Sequence, residues 1–286
     1  MSQVLVSFSG GRTSAYMAKW LIDNKSDEYD MAFIFANTGL EHEKTLDFVN
    51  ECDKRWGLNL VWVEAVTHAE GGCTHKVVNY ETASRDGEPF REMVAKYGLP
   101  GPGWTHCNRE LKLNPMWHYA KVNGLDDSAW AIGIRNDEID RMSSNAEKNK
   151  IIYPLISMKP TSKPEIRHFW RGQPFDLEIP EHFGNCVTCW KKSDRKLFTI
   201  AKHEPIRFMS FAEMEQEHAR TGASIDKNEH GRRFFFRKYR TVSDIVKSGK
   251  TSFDEFHDEF PEWQQELFSD LDLGGGCGES CEPFAE

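Results

Sequence analysis

The chain has little that would place it in a membrane or outside a reducing compartment. No apolar run approaches the ~18 residues that a membrane-spanning helix needs. The N-terminus starts directly on an apolar strand pattern with no basic-then-apolar leader, so no secretory signal is expected. Seven cysteines in 286 residues are few, odd in number and not spaced as a disulfide scaffold. They suit a reducing cytoplasm, where cysteines serve as core filler, metal ligands or redox groups. Positive charge is also in deficit. Against 45 Asp and Glu stand 36 Lys and Arg, a net charge of −9. The protein as a whole is therefore not drawn to nucleic acid or acidic membranes, and a polyanion must meet a local patch. There is no internal repeat, and nothing in these totals sets an oligomeric state. The length suffices to bury a full core, as one large domain or as a domain with an appendage.

What is present begins with Val4-Leu5-Val6-Ser7-Phe8-Ser9-Gly10-Gly11-Arg12-Thr13-Ser14. A short apolar run breaks at Ser-Gly-Gly, and Ala15, Met17, Ala18, Leu21 and Ile22 then recur at helical spacing. A strand that breaks at two glycines and feeds a helix can cradle a phosphate. The glycines let the backbone approach an anion, and the helix start aims free N–H groups at it. Ser9, Thr13 and Ser14 add hydroxyls and Arg12 adds a cation. Taken alone, the loop is equally an ordinary tight turn.

Over the first 135 residues strand and helix alternate. Strands are predicted at Val4–Phe8, Met31–Ala36, Leu60–Val63 and Trp130–Ile134. Helices are predicted at Thr13–Asp23, Glu43–Trp56, Pro89–Tyr97 and Asn108–Val122. This order implies an α/β fold: a doubly wound, mostly parallel sheet with helices on both faces. Ligands in such sheets bind at the carboxyl ends of the strands, near a switch point. The loops Ser9–Ser14, Asn37–Glu41 and Arg135–Arg141 all follow predicted strands and are expected on one rim. We place a nucleotide-binding domain at 1–158 and a helical and irregular C-terminal extension at 159–286. Ile151–Leu155 reads as a last strand, Thr161–Glu165 as a helix start, 172–192 as loop, and Ser193–His203 and Arg207–Ala219 as helices. The tail Gly274–Glu282, with three glycines, Cys277 and Cys281, is expected to be mobile.

Four further segments carry chemistry. In Asn37-Thr38-Gly39-Leu40-Glu41 a strand-to-helix turn is placed to close on a nucleotide. In Gly133-Ile134-Arg135-Asn136-Asp137…Arg141 the two arginines suit phosphate or sulfate oxygens, and the plainer reading is a salt-bridge cluster. Cys186-Val187-Thr188-Cys189 has the separation that lets two thiolates bind one metal or cluster edge. Cys107 opens a segment reaching Lys112, and alone it reads as buried or capping. Cys52 reads as core, and Cys73 is open. Finally, Arg232-Arg233-Phe234-Phe235-Phe236-Arg237-Lys238-Tyr239-Arg240 holds five cations and four aromatics in nine residues. It suits a nucleic acid, and its plainer reading is a half-buried element whose cations snorkel to solvent.

Taken in order, these segments resemble the phosphoadenosine phosphosulfate reductase family, within the wider adenine nucleotide α-hydrolase group that includes the N-type ATP pyrophosphatases. Ser9–Ser14 resembles the pyrophosphate loop, commonly Ser-Gly-Gly-x-Asp-Ser. Phe35–Glu41 resembles Asp-Thr-Gly-x-Glu. Cys107…Lys112-Leu113-Asn114-Pro115 resembles Cys-Cys-x-x-x-Lys-x-x-Pro, and Gly133…Arg141 resembles Gly-x-Arg-x-Asp/Glu…Arg. Tyr153-Pro154-Leu155 resembles Asn-Pro-Leu. The resemblance implies a site for ATP, or for adenylyl or phosphoadenylyl sulfate, made by Ser7, Ser9, Gly10, Gly11, Arg12, Thr13, Ser14, Asn37, Thr38, Gly39, Glu41, Lys112, Gly133, Arg135, Asp137 and Arg141, with Mg2+. It implies a [4Fe–4S] cluster on Cys107, Cys186 and Cys189, or alternatively Zn2+ with His106 as a fourth ligand. Thr13 and Asn37 stand where the family has Asp, and Asn108 where it has a second Cys.

Sulfonucleotide reductases end in a mobile Cys-Gly, which Cys277-Gly278 resembles; Cys277 and Cys281 are thus candidate catalytic thiols. Three functions follow. One is adenylating, ATP-dependent sulfur transfer, with a nucleic acid as acceptor through Arg232, Arg233, Arg237, Lys238 and Arg240. The second is reduction of adenylyl or phosphoadenylyl sulfate to sulfite with a thioredoxin-like reductant. The third is nucleotide binding without turnover.

Overall fold

The structure, a computed structural model, describes residues 1–223, 225 and 229–257. Its centre is a six-stranded sheet of β1 (Ser2–Ser7), β2 (Tyr29–Asn37), β3 (Val61–Thr67), β4 (Cys73–Val78), β5 (Ala129–Ala131) and β6 (Ile151–Ile152). The spatial order is β4-β3-β2-β1-β5-β6. All neighbours are parallel except β3 and β4. The order reverses between β1 and β5, so the carboxyl end of β1 lies at the switch point where α/β sheets bind ligands.

Alternation along the strands sorts the core into two layers. Val4, Val6, Phe33, Phe35 and Trp62 face a cluster shared with helices α1 (Arg12–Lys25) and α2 (Glu43–Trp56) through Met17, Leu21, Leu46 and Val49. Leu5, Ile34 and Val63 face the opposite cluster. Between them in sequence come α3 (Glu88–Tyr97), the single turn α4 (His106–Asn108) and α5 (Asn114–Val122). Met116 and Ala120 of α5 cover the second face. The fold is the doubly wound α/β arrangement read from the sequence.

The differences have local causes. The helix expected over 108–122 is interrupted by a π turn at Arg109–Leu113, in which Asn114 N–H bonds back to Arg109 O. Pro115 has no N–H to give, and its ring would crowd the carbonyl of Leu111; widening the turn relieves both. The strand β4 was not expected, because His75 and Lys76 break its apolar pattern. It is an antiparallel edge, where charge is tolerated and deters further pairing. The strand expected at Trp130–Ile134 leaves the sheet after Ala131, since Gly133 must pass over α1: a Cβ there would lie 3.1 Å from Ser14 Cα. The strand expected at Ile151–Leu155 stops at Ile152, and Pro154 starts the short α6 (Pro154–Ser157).

After residue 158 come α7 (Lys163–Arg171), α8 (Asp194–His203), α9 (Met209–His218) and α10 (Val242–Gly249). Ile166, Trp170, Leu197, Phe211 and Ile245 enter the same apolar cluster as β1 and α1. Ser162 and Glu165 close a capping box on α7. The segment 172–192 is irregular, as expected, apart from a 3-10 turn at Glu181–Phe183. Among the described residues no helix is long and apolar enough to cross a membrane.

His182, in that turn, is 9% exposed and stacks on Phe183. Burial, and then the nearby Lys192 and Lys196, push its imidazolium down to about 4. A histidine depressed when folded stabilises the fold above its unfolded value near 6.5, and that contribution fades as pH falls from about 6.5 towards 4. His42, His75 and His106 are shifted the same way, with burial as the first cause of each. Urea unfolding at pH 7 and pH 5 is expected to show lower stability at pH 5. In His182→Gln the difference should shrink by about 1–2 kcal/mol. An unchanged difference would remove His182 from the acid response.

Candidate functional site: the rim above the first strand

The phosphate-type loop is built as its residues require. Phe8 N–H continues the ladder to Ile34 O at 2.9 Å, and the chain then turns at Gly10, whose φ is +83°. A Cβ on Gly10 would lie 2.9 Å from Thr45 Cγ2, so both the conformation and the space call for glycine. Ser14 Oγ accepts from Ser9 N–H at 3.0 Å and donates to Gly11 O at 3.1 Å. The Ser9 hydroxyl therefore donates to Ser14 Oγ, 2.9 Å away. The first helical bond is Ala15 N–H to Gly11 O, and Gly11 supplies no side-chain cap. The first-turn amides of α1 thus have no acceptor inside the helix, which is the condition for binding an anion there.

Arg12 does not point its charge into this cradle. It forms a fork on Asp176 at 2.7 and 3.1 Å and also donates to Leu177 O, while Trp170 Nε1 donates to Arg12 O at 3.0 Å. The C-terminal extension therefore holds the back of the loop through both the side chain and the backbone of one residue. Ser7 is buried at the end of β1.

The loop after β5 meets the loop after β1, as the shared rim required. Arg135 is 6% exposed and sends Nη1 to Thr13 Oγ1 at 3.3 Å. Its other nitrogens fork onto Asp137 at 3.0 and 3.2 Å, and Glu138 lies 3.3 Å from Nη1. Arg141 donates to Glu138 as well. The plainer reading of this segment, a salt-bridge cluster, is thus present. Sequence reasoning had not singled out Glu138, which ties its two arginines together.

The second loop is fixed by a residue that sequence reasoning missed. Glu64, on β3, is fully buried. It accepts from Asn37 Nδ2 and from Ser84 N–H, each at 2.6 Å, and Lys76 Nζ lies 3.2 Å away. A lone carboxylate inside the apolar run Val61–Val66 was the available signal, since such a residue is buried only with partners. Asn37 Oδ1 in turn accepts from Gly39 N–H at 3.2 Å. Thr38 donates to Glu41 at 2.8 Å, and Cys186 Sγ lies 3.3 Å from the same hydroxyl. Val187 N–H to Leu40 O at 3.1 Å completes the docking of the Cys186–Cys189 segment on this loop.

The model of the phosphoadenosine phosphosulfate reductase domain matches residues 3–160. The chain belongs to this family. It is 35% identical over 293 residues to an uncharacterized nin region protein, ORF290, of Escherichia phage lambda, covering 98% of this chain and 94% of that one. It is 25% identical over 179 residues to the tRNA-specific 2-thiouridylase MnmA of Campylobacter fetus subsp. fetus, covering 62% of this chain and 48% of that protein. A likeness to the phosphoadenylyl-sulfate reductase of Candida auris, in a phosphate complex, has a TM-score of 0.36 at 17% identity and covers 60% of this chain and 72% of that one.

The cluster and zinc expectations for this family member do not fit the donors as placed. Among the described residues no three His, Cys, Asp or Glu side chains form a group able to hold a metal ion. Cys107, Cys186 and Cys189 are not joined in disulfides, and Cys186 lies against Thr38 while Cys107 packs on the apolar cluster. Nor do the rim carboxylates gather for Mg2+: Glu41 is bonded to Thr38, Asp137 to Arg135, and Glu138 to both arginines. Lys112 is buried in the π turn. Cys52 and Cys73 are buried. Burial, and then Glu110, push the Cys73 thiol up to about 11, and it donates to Glu110 O at 3.2 Å. Cys277 and Cys281 lie outside the described residues.

The basic aromatic string is not the free cationic face that a nucleic-acid contact through its arginines requires. Arg232 pairs with Glu215 at 3.0 Å, Arg240 with Asp194 at 2.5 Å, and Arg237 donates to the carbonyls of residues 190–192. Arg233 is 2% exposed, and Phe235 and Phe236 are core. Arginines beside buried rings fasten a segment that lacks regular backbone bonding: the segment is half-buried, as the plainer reading has it, but these four arginines turn inward to protein partners instead of snorkelling to solvent. Lys238 and Tyr239 alone of the string are exposed.

Proposed function

We propose that this chain binds ATP with its phosphates at Ser9–Ser14 and the start of α1, and uses it to adenylate an acceptor that then receives sulfur. The observation that carries this reading is the Ser9–Gly10–Gly11–Ser14 cradle ahead of an uncapped helix, with Arg135 buried beside Thr13. Backbone amides hold the departing pyrophosphate, and the helix start favours its growing charge. A carbonyl oxygen of the acceptor attacks the α-phosphorus, and pyrophosphate leaves. Sulfur then attacks the acceptor carbon, and AMP leaves with the oxygen. Hydrosulfide completes this without redox change. If the sulfur is the terminal atom of a persulfide on Cys277 or Cys281, a second thiol must release the product as a disulfide forms. The relationship to a 2-thiouridylase supports the reading.

The test compares ATP, AMP, adenylyl sulfate and phosphoadenylyl sulfate by calorimetry, and follows pyrophosphate and sulfite on anaerobically purified protein. ATP binding and acceptor-dependent pyrophosphate release are expected. Sulfite release with a thiol reductant favours the reductase reading instead, and tight ATP binding without turnover a regulatory one. Iron and sulfide at about four each per chain, lost in Cys107→Ala and Cys186→Ala, would show that the three thiolates regroup around a cluster.

A further inference from the structure

Two cavities adjoin on the face made by 97–113 and the basic aromatic string. The larger, about 550 Å³, is lined by Trp104, His106 and Arg233 among others. The smaller, about 320 Å³, is lined by Trp104, Arg233, Phe234, Lys238 and Tyr239 among others. Trp104 and Arg233 form the wall between them. Both volumes lie within the ~300–1,000 Å³ usual for small-ligand sites.

The wall is a built feature. The Arg233 guanidinium stacks 3.8 Å from the centre of the Trp104 ring and donates to the carbonyls of Tyr97 and Ala223. Its Nε is buried and has no partner among the described residues. Beyond the wall, Lys238 and Tyr239 both have positive φ, 60° and 54°, in a tip closed by the Phe236–Arg240 bridge. Two successive non-glycine residues in that region carry strain, which persists where surrounding structure imposes it. The tip holds Tyr239 61% exposed, its ring packed against His230 at 4.2 Å between centroids and inclined to it by 59°. Flat rings with cations between them, on a chain of net charge −9, match a ligand made of flat rings joined by phosphates.

We infer that this face binds single-stranded nucleic acid, with one base in each cavity on either side of the Trp104–Arg233 wall and the linking phosphate near Lys238. The inference rests on the proposed function only in taking that strand as the acceptor. Affinity comes mainly from stacking, because the arginines of the string are engaged internally. It is therefore only weakly salt-dependent, unlike binding by a free basic patch.

The test measures fluorescence anisotropy of labelled 12-nucleotide single-stranded RNA and DNA of mixed sequence, and of the matching duplexes, without ATP. Single strands are expected to bind, with duplexes at least tenfold weaker. Trp104→Ala and Tyr239→Ala should each weaken binding about tenfold. Lys238→Ala should cost less and lower the salt slope by about one. Tyr239 and Lys238 are exposed, so those variants should keep the wild-type melting temperature, and they decide the matter if Trp104→Ala fails to fold. The inference is overturned if no single strand binds at low salt, if duplex binds equally well, if Tyr239→Ala leaves affinity unchanged, or if AMP at oligonucleotide concentration displaces the strand. Strand binding without pyrophosphate release overturns the proposed function and leaves this inference standing; pyrophosphate release without strand binding does the reverse.

Discussion

Asn37→Asp is expected to lower the stability of the protein by about 3–5 kcal/mol, and Glu64→Gln added to it to recover most of the loss. Asn37 Nδ2 donates to Glu64 at 2.6 Å in a site with no access to water, and also to Ser84 O at 2.9 Å. Aspartate there replaces the donor by a second carboxylate. Two carboxylates at that distance cannot both be ionised, so one must take up a proton or the loop must move. The loop in question carries Thr38, Gly39 and Glu41 and supports Cys186, and nucleotide binding should fall with stability. The exchanged pair, Asn37→Asp with Glu64→Gln, restores one donor and one acceptor in reversed order. Denaturant unfolding of the four proteins gives the coupling directly. Additive losses would mean that the two residues do not act as a pair. The asparagine at a position where the family has aspartate thus has a structural reason: the carboxylate of this region stands on β3, and its partner must donate.

The second large effect is expected at Arg135. Arg135→Gln removes the cation that faces Asp137 and Glu138 and the contact to Thr13 at 3.3 Å. Glu138, itself 8% exposed, keeps Arg141 and the backbone N–H of residue 135 but loses one of its two cations. Breaking a buried pair from one side leaves an uncompensated charge, so a loss of about 3 kcal/mol is expected. Because Arg135 also steadies the start of α1, ATP affinity should fall by at least about tenfold, the weight of one charge-assisted hydrogen bond. Arg135→Lys should recover the charge but not the fork, and therefore only part of both losses. Unchanged ATP affinity in a folded Arg135→Gln protein would separate the cluster from the nucleotide site.

Much of this was legible in the residues. The bounds of α2 agree with the expectation residue for residue, because a clean amphipathic stripe ends at Gly57, which closes the helix in the left-handed region with its N–H on Asp53 O. The meeting of the first and third loops followed from strand order alone. What escaped were features that depend on a neighbour distant in sequence. Pro115 was visible, but whether the chain would break or widen there depends on what packs around it. The five cations of residues 232–240 left a nucleic-acid face and a half-buried element both open, and only the fold places Glu215, Asp194 and the carbonyls of 190–192 within reach of Arg232, Arg240 and Arg237. Three cysteines that a family pattern groups on one cluster are not gathered among the described residues into a metal-holding group.

By itself the sequence determined the alternation of strands and helices, the glycine turn before α1 and the rim on which the loops gather. Those follow from short-range sterics, from hydrophobic periodicity and from the rule that parallel strands carry their loops at one edge. Only the tertiary structure decided which polar groups pair. Arg12 goes to Asp176, 164 residues away, Asn37 to Glu64 and Arg135 to Thr13. The reason is physical: burial obliges each charge or amide to find a partner, and which partner lies within about 3 Å is set by how the layers pack, which local pattern does not encode.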